Sequence, residues 1–163
     1  MRLLLLLVSV LVLQGVLGAL VPAGFVPDLF LLAAIGLSAR VGPARGVAAG
    51  FVIGLVQDLA GFGALGVHAL GVAAGVFAAL LTRGLISGEQ RGYEAMLAVG
   101  GQIGKWLALG LMLAWTQTQA SAGRTLLEIA LPETLVTALL APVVAAAFDW
   151  AMGREVPLEE GLL

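Results

Sequence analysis

The sequence predicts an all-α, polytopic membrane protein with six transmembrane helices, in a single domain over residues 1–163. Apolar residues make up 61% of the chain and charged residues only 11%, and the mean hydropathy is +1.09. A membrane-spanning helix needs about 20 mostly apolar residues, so six such helices with short loops use nearly the whole chain. The sequence contains no cysteine, which excludes disulfides and thiolate metal sites.

Polar and glycine-rich segments divide the chain into six apolar stretches. We predict transmembrane spans at about 3–20, 28–40, 44–59, 65–82, 95–115 and 126–150. The first stretch also resembles a signal peptide, whose removal would leave five spans. Its apolar run is longer than that of a usual signal, and we expect the first span to be retained.

Turn-forming residues separate the predicted spans. The pair Pro27–Asp28 opens the second span, because proline is tolerated in a first helical turn and aspartate caps the free N–H groups there. The segments "VGPARG" and "AGFGALG" predict tight turns before and after the third span. The polar segments "TRGLISGEQRGYE" and "TQTQASAGRT" are the loops on either side of the fifth span, and the sixth span ends at Trp150.

The basic residues predict the orientation in the membrane. One side of the predicted topology carries six arginines, and the other carries only Arg124. The six are Arg2, Arg40, Arg45, Arg83, Arg91 and Arg154. Because positive charge accumulates on the cytoplasmic side, we predict that both termini lie in the cytoplasm. Arg40 and Arg45, beside the proline turn, are also candidates for contact with a cytoplasmic partner.

Small residues form stripes along the third and fourth spans. In the third span glycine recurs every fourth residue, and Asp58 takes the next step of the series. In the fourth span two glycines share a helical face with His68, and the glycines of both spans are Gly42, Gly46, Gly50, Gly54, Gly71 and Gly75. Such stripes allow close helix packing, so we predict a groove for helix packing or for a partner's helix.

The polar residues within the spans predict a pocket in the outer half of the membrane. Asp28, Asp58 and His68 all lie near outer ends of spans, whereas Lys105 lies near the middle of its span. An ammonium at that depth requires a carboxylate or a water-filled cavity. We predict Asp58 as its partner, with hydrogen bonds from Gln57 and Gln102.

Simpler interpretations of the same residues stay open. Asp28 can serve only as a helix cap, His68 can bond a loop carbonyl, and the Lys105 side chain can extend toward the interface.

The segments that resemble catalytic motifs lack the required residue spacing, or their residues are predicted to lie too far apart. The segment "GGQIGKW" lacks the first glycine and the Ser/Thr of a phosphate-binding loop. Ser38 and His68 lie at opposite surfaces, and a single histidine cannot form the His-Glu-x-x-His zinc motif. Asp28 and Asp58 carry no flanking sequence typical of an aspartyl protease. We therefore expect no enzyme activity and no cofactor or metal.

The densest motifs lie between Pro27 and Leu70. "PDL", "ARVGPARGVAAGFVIGLVQDL" and "LGVHAL" follow one another in this segment, and together they resemble the MreD family of rod shape-determining membrane proteins. Two positions depart from that pattern. Gln57 stands where an apolar residue is usual, and Ala64 stands where proline is common.

The resemblance implies a non-enzymatic scaffold of the bacterial cell-elongation complex, which supports lateral peptidoglycan synthesis and cell shape. It also implies a multi-pass protein of the bacterial cytoplasmic (inner) membrane. Its implied protein partners are an MreC-type single-span protein, RodA, a class B penicillin-binding protein and MreB. The chain is also expected to contact the lipid bilayer and not to bind nucleic acid. The resemblance also implies a fold similar to the substrate-binding subunits of energy-coupling-factor transporters. A substrate-binding membrane subunit of a vitamin-type transporter is the alternative function.

Overall fold

The computed structural model describes residues 1–61, 65–86, 92–115 and 122–152, with side chains omitted at 23 and 122–127. Within these ranges the chain is all-helical. The six α-helices are α1 (Arg2–Leu20), α2 (Leu29–Val41), α3 (Pro43–Ala60), α4 (Val67–Leu85), α5 (Tyr93–Trp115) and α6 (Ala122–Met152), and a 3₁₀ turn at Ala23–Phe25 follows α1. Each α-helix overlaps one predicted span, which confirms the all-helical class.

Four of the described helical segments are long and apolar enough to cross a membrane. They are α1, α4, α5 and the Glu128–Met152 part of α6. With 13 residues, α2 is about 20 Å long, shorter than the bilayer's hydrocarbon core of about 30 Å. In α3, Arg45, Gln57 and Asp58 interrupt the apolar sequence. The crossing of the membrane by α2 and α3 stays a prediction.

The centre of the bundle is α2. Ten of its 13 residues are buried, whereas Val10 is the buried residue of α1. One core cluster joins α2 to α1 and α6 and includes Phe30 and Phe148. A second joins α2 to α4 and α5 and includes Leu31 and Val72. The short α2 is thus covered on several sides by longer helices.

The remaining helices follow chain order around α2. α3 packs against α2 and α4, α4 against α5, and α5 against α6. α1 packs against α2 and α6. The C-terminal ends of α1 and α3 lie at the same end of the bundle as the N-terminal ends of α2 and α4. The polar residues that the sequence singled out lie at this end and in the middle of the bundle.

Candidate functional site

The glycines of α3 lie against neighbouring helices of the same chain. Gly46, Gly50 and Gly54 are buried. A Cβ atom on Gly54 would lie 2.6 Å from the Ala69 Cα, and one on Gly50 would lie 2.8 Å from Val76 Cγ2, both in α4. A Cβ on Gly46 would lie 2.8 Å from the Ser38 Cα of α2. The interpretation of this stripe as an open groove for a partner's helix is therefore wrong, because α2 and α4 already fill it.

The other glycines have related structural tasks. Gly42 precedes α3 with a φ of 88°, and Pro43 follows it at the first helical position. A Cβ on Gly75 would lie 2.9 Å from the Gly101 carbonyl oxygen of α5, and one on Gly71 would lie 3.6 Å from Lys105 Cγ. Because Gly71 and Gly75 have no Cβ atom, α5 can approach α4 closely, and the aliphatic part of the Lys105 side chain has room beside Gly71.

Asp58 caps the beginning of α4 from the end of α3. Its Oδ2 accepts hydrogen bonds from the backbone N–H of Gly66 at 2.8 Å and Ala69 at 3.1 Å. Its Oδ1 accepts from the His68 N–H at 3.0 Å and contacts His68 Nδ1 at 2.9 Å. Gly66 precedes α4 in the left-handed conformation, with a φ of 95°, which turns these N–H groups toward Asp58. The carboxylate thus supplies acceptors that the first turn of a helix lacks.

Lys105 pairs with carboxylates other than Asp58. Its Nζ lies 2.5 Å from Asp28 Oδ2 and 2.7 Å from Glu133 Oε1. We call Asp28, Lys105 and Glu133 the ion triad. The predicted Lys105–Asp58 pair is wrong, because Asp58 is held by the α4 backbone and His68, while α2 and α6 bring Asp28 and Glu133 to the ammonium.

Asp28 combines a capping role with an ionic one. Its Oδ1 accepts from the Leu31 N–H at 2.9 Å, while Oδ2 faces Lys105. Its own N–H donates to Thr137 Oγ1 at 2.9 Å. The interpretation of Asp28 as a cap alone is therefore incomplete, because one carboxylate oxygen caps α2 and the other pairs with Lys105.

Gln102 and Thr137 link the triad to its surroundings. The Gln102 Nε2 donates to Thr137 Oγ1 at 3.2 Å and to Glu133 Oε1 at 3.4 Å. Both Gln102 and Thr137 are fully buried. Together with the triad they connect α2, α5 and α6 by polar contacts through the interior of the bundle.

A cavity of about 270 Å³ opens beside the ion triad. We call it the polar cavity. Its lining comes from α1, α3, α4, α5 and α6 and from the segment that precedes α2. The lining residues are Gln14, Gly18, Val26, Asp28, Gln57, His68, Lys105, Trp106, Leu109 and Glu133. Of the six predicted pocket residues, Asp28, Gln57, His68 and Lys105 line it, whereas Asp58 and Gln102 lie behind its wall.

Comparison with known families assigns this architecture. The family model described as rod shape-determining protein MreD matches residues 1–146. The chain belongs to the MreD family. The matched residues include the whole ion triad and the Asp58–His68 pair. Family membership indicates a role in rod shape determination, and with several apolar helices it fits a location in the bacterial inner membrane.

No curated protein and no solved structure matches the chain. The likeness of the MreD family to energy-coupling-factor subunits therefore stays a prediction for this chain.

Two residues of the polar network around Lys105, namely Glu133 and Thr137, were not predicted from the sequence. Glu133 lies inside the predicted sixth span directly after Pro132, and an acidic residue within a span is by itself a signal of an interior contact. Thr137 gives no such signal, because threonine is common in membrane helices and often bonds its own backbone.

The predicted cytoplasmic arginines have different environments. The Arg40 side chain is only 3% exposed and pairs with Asp149 Oδ1 at 2.6 Å; its Nη1 donates to the Gly36 carbonyl oxygen at 2.5 Å. Arg40 therefore joins α2 to α6 and is not a free surface cation. Arg45 is exposed and Arg83 half-buried, while Arg91 lies outside the described residues.

Proposed function

We propose that this MreD-family protein is a non-enzymatic membrane scaffold of the cell-elongation complex. It binds an MreC-type single-span protein and, with RodA, a class B penicillin-binding protein and MreB, supports lateral peptidoglycan synthesis. The match of residues 1–146 to the family carries the proposal. It favours the scaffold over the vitamin-type transporter subunit.

The chemistry of the described interior supports a structural role. Asp58 is engaged as the cap of α4, and the ion triad joins three helices. These carboxylates stabilise helix ends and helix contacts. These contacts, together with the family's role in cell shape, support a non-enzymatic role.

The exposed face of α1 is the proposed contact surface for the partner's helix. Among the described helices α1 has the smallest buried share of those that could cross a membrane, at 6%. A Cβ on Gly15 or Gly18 would meet nothing within 4 Å, so the backbone of another helix can approach closely there. The glycines of α3 cannot serve in this way, because they are already covered.

Co-purification with an MreC-type partner tests both parts of the proposal. We expect the wild-type chain to retain the partner after detergent extraction and Gly15→Leu to retain much less. Gly110→Leu on α5 is the matched control, because a Cβ at Gly110 also meets nothing within 4 Å.

The two possible failures have different meanings. If the wild-type chain does not retain the partner, the scaffold function is contradicted. If Gly15→Leu retains it as well as Gly110→Leu does, only the placement of the partner on α1 is contradicted. Replacing the MreD-family gene of a rod-shaped host with the variants provides the cellular measurement, namely the ratio of cell length to width.

A further inference from the structure

The ion triad combines two carboxyl groups with a single ammonium. Lys105 Nζ lies 2.5 Å from Asp28 Oδ2 and 2.7 Å from Glu133 Oε1, and all three residues are buried. One ammonium balances one carboxylate. A further negative charge without a counter-ion is strongly disfavoured in a protein interior, and a buried carboxyl group avoids that charge by holding a proton.

Asp28 has the contacts of an ionised carboxylate. Its Oδ1 accepts a hydrogen bond from the Leu31 N–H at 2.9 Å, and its Oδ2 accepts from Lys105. Asp28 is also the N-cap residue of α2, where the helix dipole favours a negative charge. A proton on Asp28 would weaken these contacts, so the geometry favours a proton elsewhere in the triad.

Glu133 differs from Asp28 at one oxygen. Its Oε1 accepts from Lys105 at 2.7 Å and from Gln102 Nε2 at 3.4 Å. Its Oε2 accepts no hydrogen bond from the residues that the structure describes. A carboxylic acid keeps one carbonyl acceptor and gains one O–H donor. Glu133 can therefore carry a proton on Oε2 and keep both contacts of Oε1.

The polar cavity connects Glu133 with one end of the bundle. Glu133 lines this cavity, whose volume of about 270 Å³ holds several water molecules at about 30 Å³ each. Gly18, Val26 and His68 also line it, and they lie where α1 ends and α4 begins. Water in the cavity therefore provides a path for a proton between Oε2 and that end of the bundle.

The described helices around α6 bring few other titratable groups near Glu133. His68 of α4 lines the same cavity. Arg40 of α2 pairs with Asp149 in the last turn of α6. Arg2 begins α1, whereas the later part of that helix lines the cavity, and the 3₁₀ turn after α1 contains no titratable residue. The ion triad and His68 are thus the titratable groups that face the cavity.

We propose that the ion triad is a proton-binding site, in which Glu133 takes up one proton at Oε2 from the polar cavity while Asp28 stays ionised. Uptake converts the Lys105–Glu133 ion pair into a hydrogen bond from an ammonium to a carbonyl oxygen, and it leaves Lys105 and Asp28 as a neutral pair. The contact between α5 and α6 therefore responds to the pH of the solution that the cavity meets. The proposal goes beyond the scaffold function and does not depend on the MreC-type partner.

Thermal unfolding of the purified full chain in an uncharged detergent tests the proposal between about pH 5.5 and about pH 7.5, where an exposed glutamate is ionised. The folded chain then holds a proton that the unfolded chain has lost, so stability falls as the pH rises. A difference of one proton lowers the Tm of a chain of this size by roughly 3–5 °C per pH unit. We expect Glu133→Gln, which imitates the protonated side chain, to lack this fall.

Two further variants show whether the effect belongs to Glu133. Glu128→Gln is the matched control, because Glu128 is exposed on the same helix, and it should keep the pH dependence of the wild type. His68 is present in all of these chains, so its contribution cancels in their differences. Asp28→Asn also removes the excess negative charge. At about pH 5.5, where Glu133 is the protonated member, its Tm should be lower than that of Glu133→Gln.

The infrared spectrum of the wild-type chain provides a measurement that needs no stable variant. A protonated carboxyl group absorbs apart from a carboxylate. At about pH 6, where exposed carboxyl groups are ionised, its band should be present in the folded chain and disappear on unfolding. The absence of this band overturns the proposal. An equal pH dependence in Glu133→Gln and the wild type also overturns it, as does a higher Tm for Asp28→Asn than for Glu133→Gln.

Discussion

At the scale of single residues, the stability of the ion triad depends on the contact of Lys105 with both carboxylates. Lys105 is 5% exposed, Asp28 2% and Glu133 8%. The ammonium stabilises both carboxylates, and the carboxylates compensate its removal from water. Loss of the lysine therefore leaves two buried carboxylates facing each other without a cation.

Lys105→Met should destabilise the protein strongly, because Asp28 and Glu133 then face each other without a cation. Breaking a buried pair from one side typically costs about 3–5 kcal/mol. For a chain of this size the corresponding fall in Tm is roughly 6–20 °C, measurable by thermal unfolding in detergent. Arg45→Met is the control, since Arg45 is an exposed cation. Equal Tm values for the two variants would contradict the structural role of the triad.

Asp58→Asn should weaken the start of α4. The carboxylate accepts three backbone N–H groups as well as contacting His68, whereas an amide offers one acceptor oxygen and adds a donor. The expected loss is about 1–3 kcal/mol, again measured as a fall in Tm.

Asp149→Asn is the comparison for the Asp58 variant. The Asp149 side chain is 51% exposed, and its partner Arg40 also donates to the Gly36 carbonyl oxygen. We therefore expect a smaller fall in Tm than at Asp58, whose carboxylate accepts three backbone N–H groups. A larger effect at Asp149 than at Asp58 would be inconsistent with the capping role.

At the scale of helices, close approach of α3 and α4 depends on Gly54. A Cβ there would lie 2.5 Å from the His68 carbonyl oxygen and 2.6 Å from the Ala69 Cα. Both are backbone atoms, so relief requires the two helices to separate.

Gly54→Ala should therefore lower Tm, with a loss of about 1–3 kcal/mol typical of overpacking. Gly110→Ala is the matched control, because its Cβ meets open space and alanine favours helix by about 1 kcal/mol. We expect unchanged or slightly raised Tm for the control. A Gly54→Ala protein as stable as the control would show that α3 and α4 are not held at this distance.

The sequence predicted contacts between residues that are close in the chain better than contacts between residues that are far apart in it. The four-residue spacing of glycine predicted close packing of α3, but not that the covering helices belong to the same chain. Asp58 and His68 are 10 residues apart across one turn, so the turn itself brings them together. Asp28 and Lys105 are 77 residues apart, and the depth of Lys105 along its helix does not reveal which helices face it. Only the three-dimensional packing shows Asp28 and Glu133 as its partners.

At the scale of the whole molecule, the predicted orientation has a direct test. The chain has no native cysteine, so each introduced cysteine is the sole labelling site. Leu65→Cys, beside the α3–α4 turn, should react with a membrane-impermeant thiol reagent added to intact spheroplasts. Arg45→Cys, beside the α2–α3 turn, should react only after the membrane is permeabilised. Both native side chains are exposed, so the reverse pattern would contradict cytoplasmic termini.

The separation of the ion triad along the sequence also bears on how the protein is made. Asp28 is synthesised 77 residues before Lys105, and Glu133 follows Lys105 by another 28. The hairpin of α3 and α4, by contrast, contains both Asp58 and the backbone groups that it caps. During insertion into the bilayer the contacts within the α3–α4 hairpin can form before the rest of the chain is synthesised. Asp28 has no lysine partner until α5 has been inserted. The contacts of the ion triad can therefore form only after α5 and then α6 have been synthesised, and a chain that ends after α4 contains Asp28 without its cation.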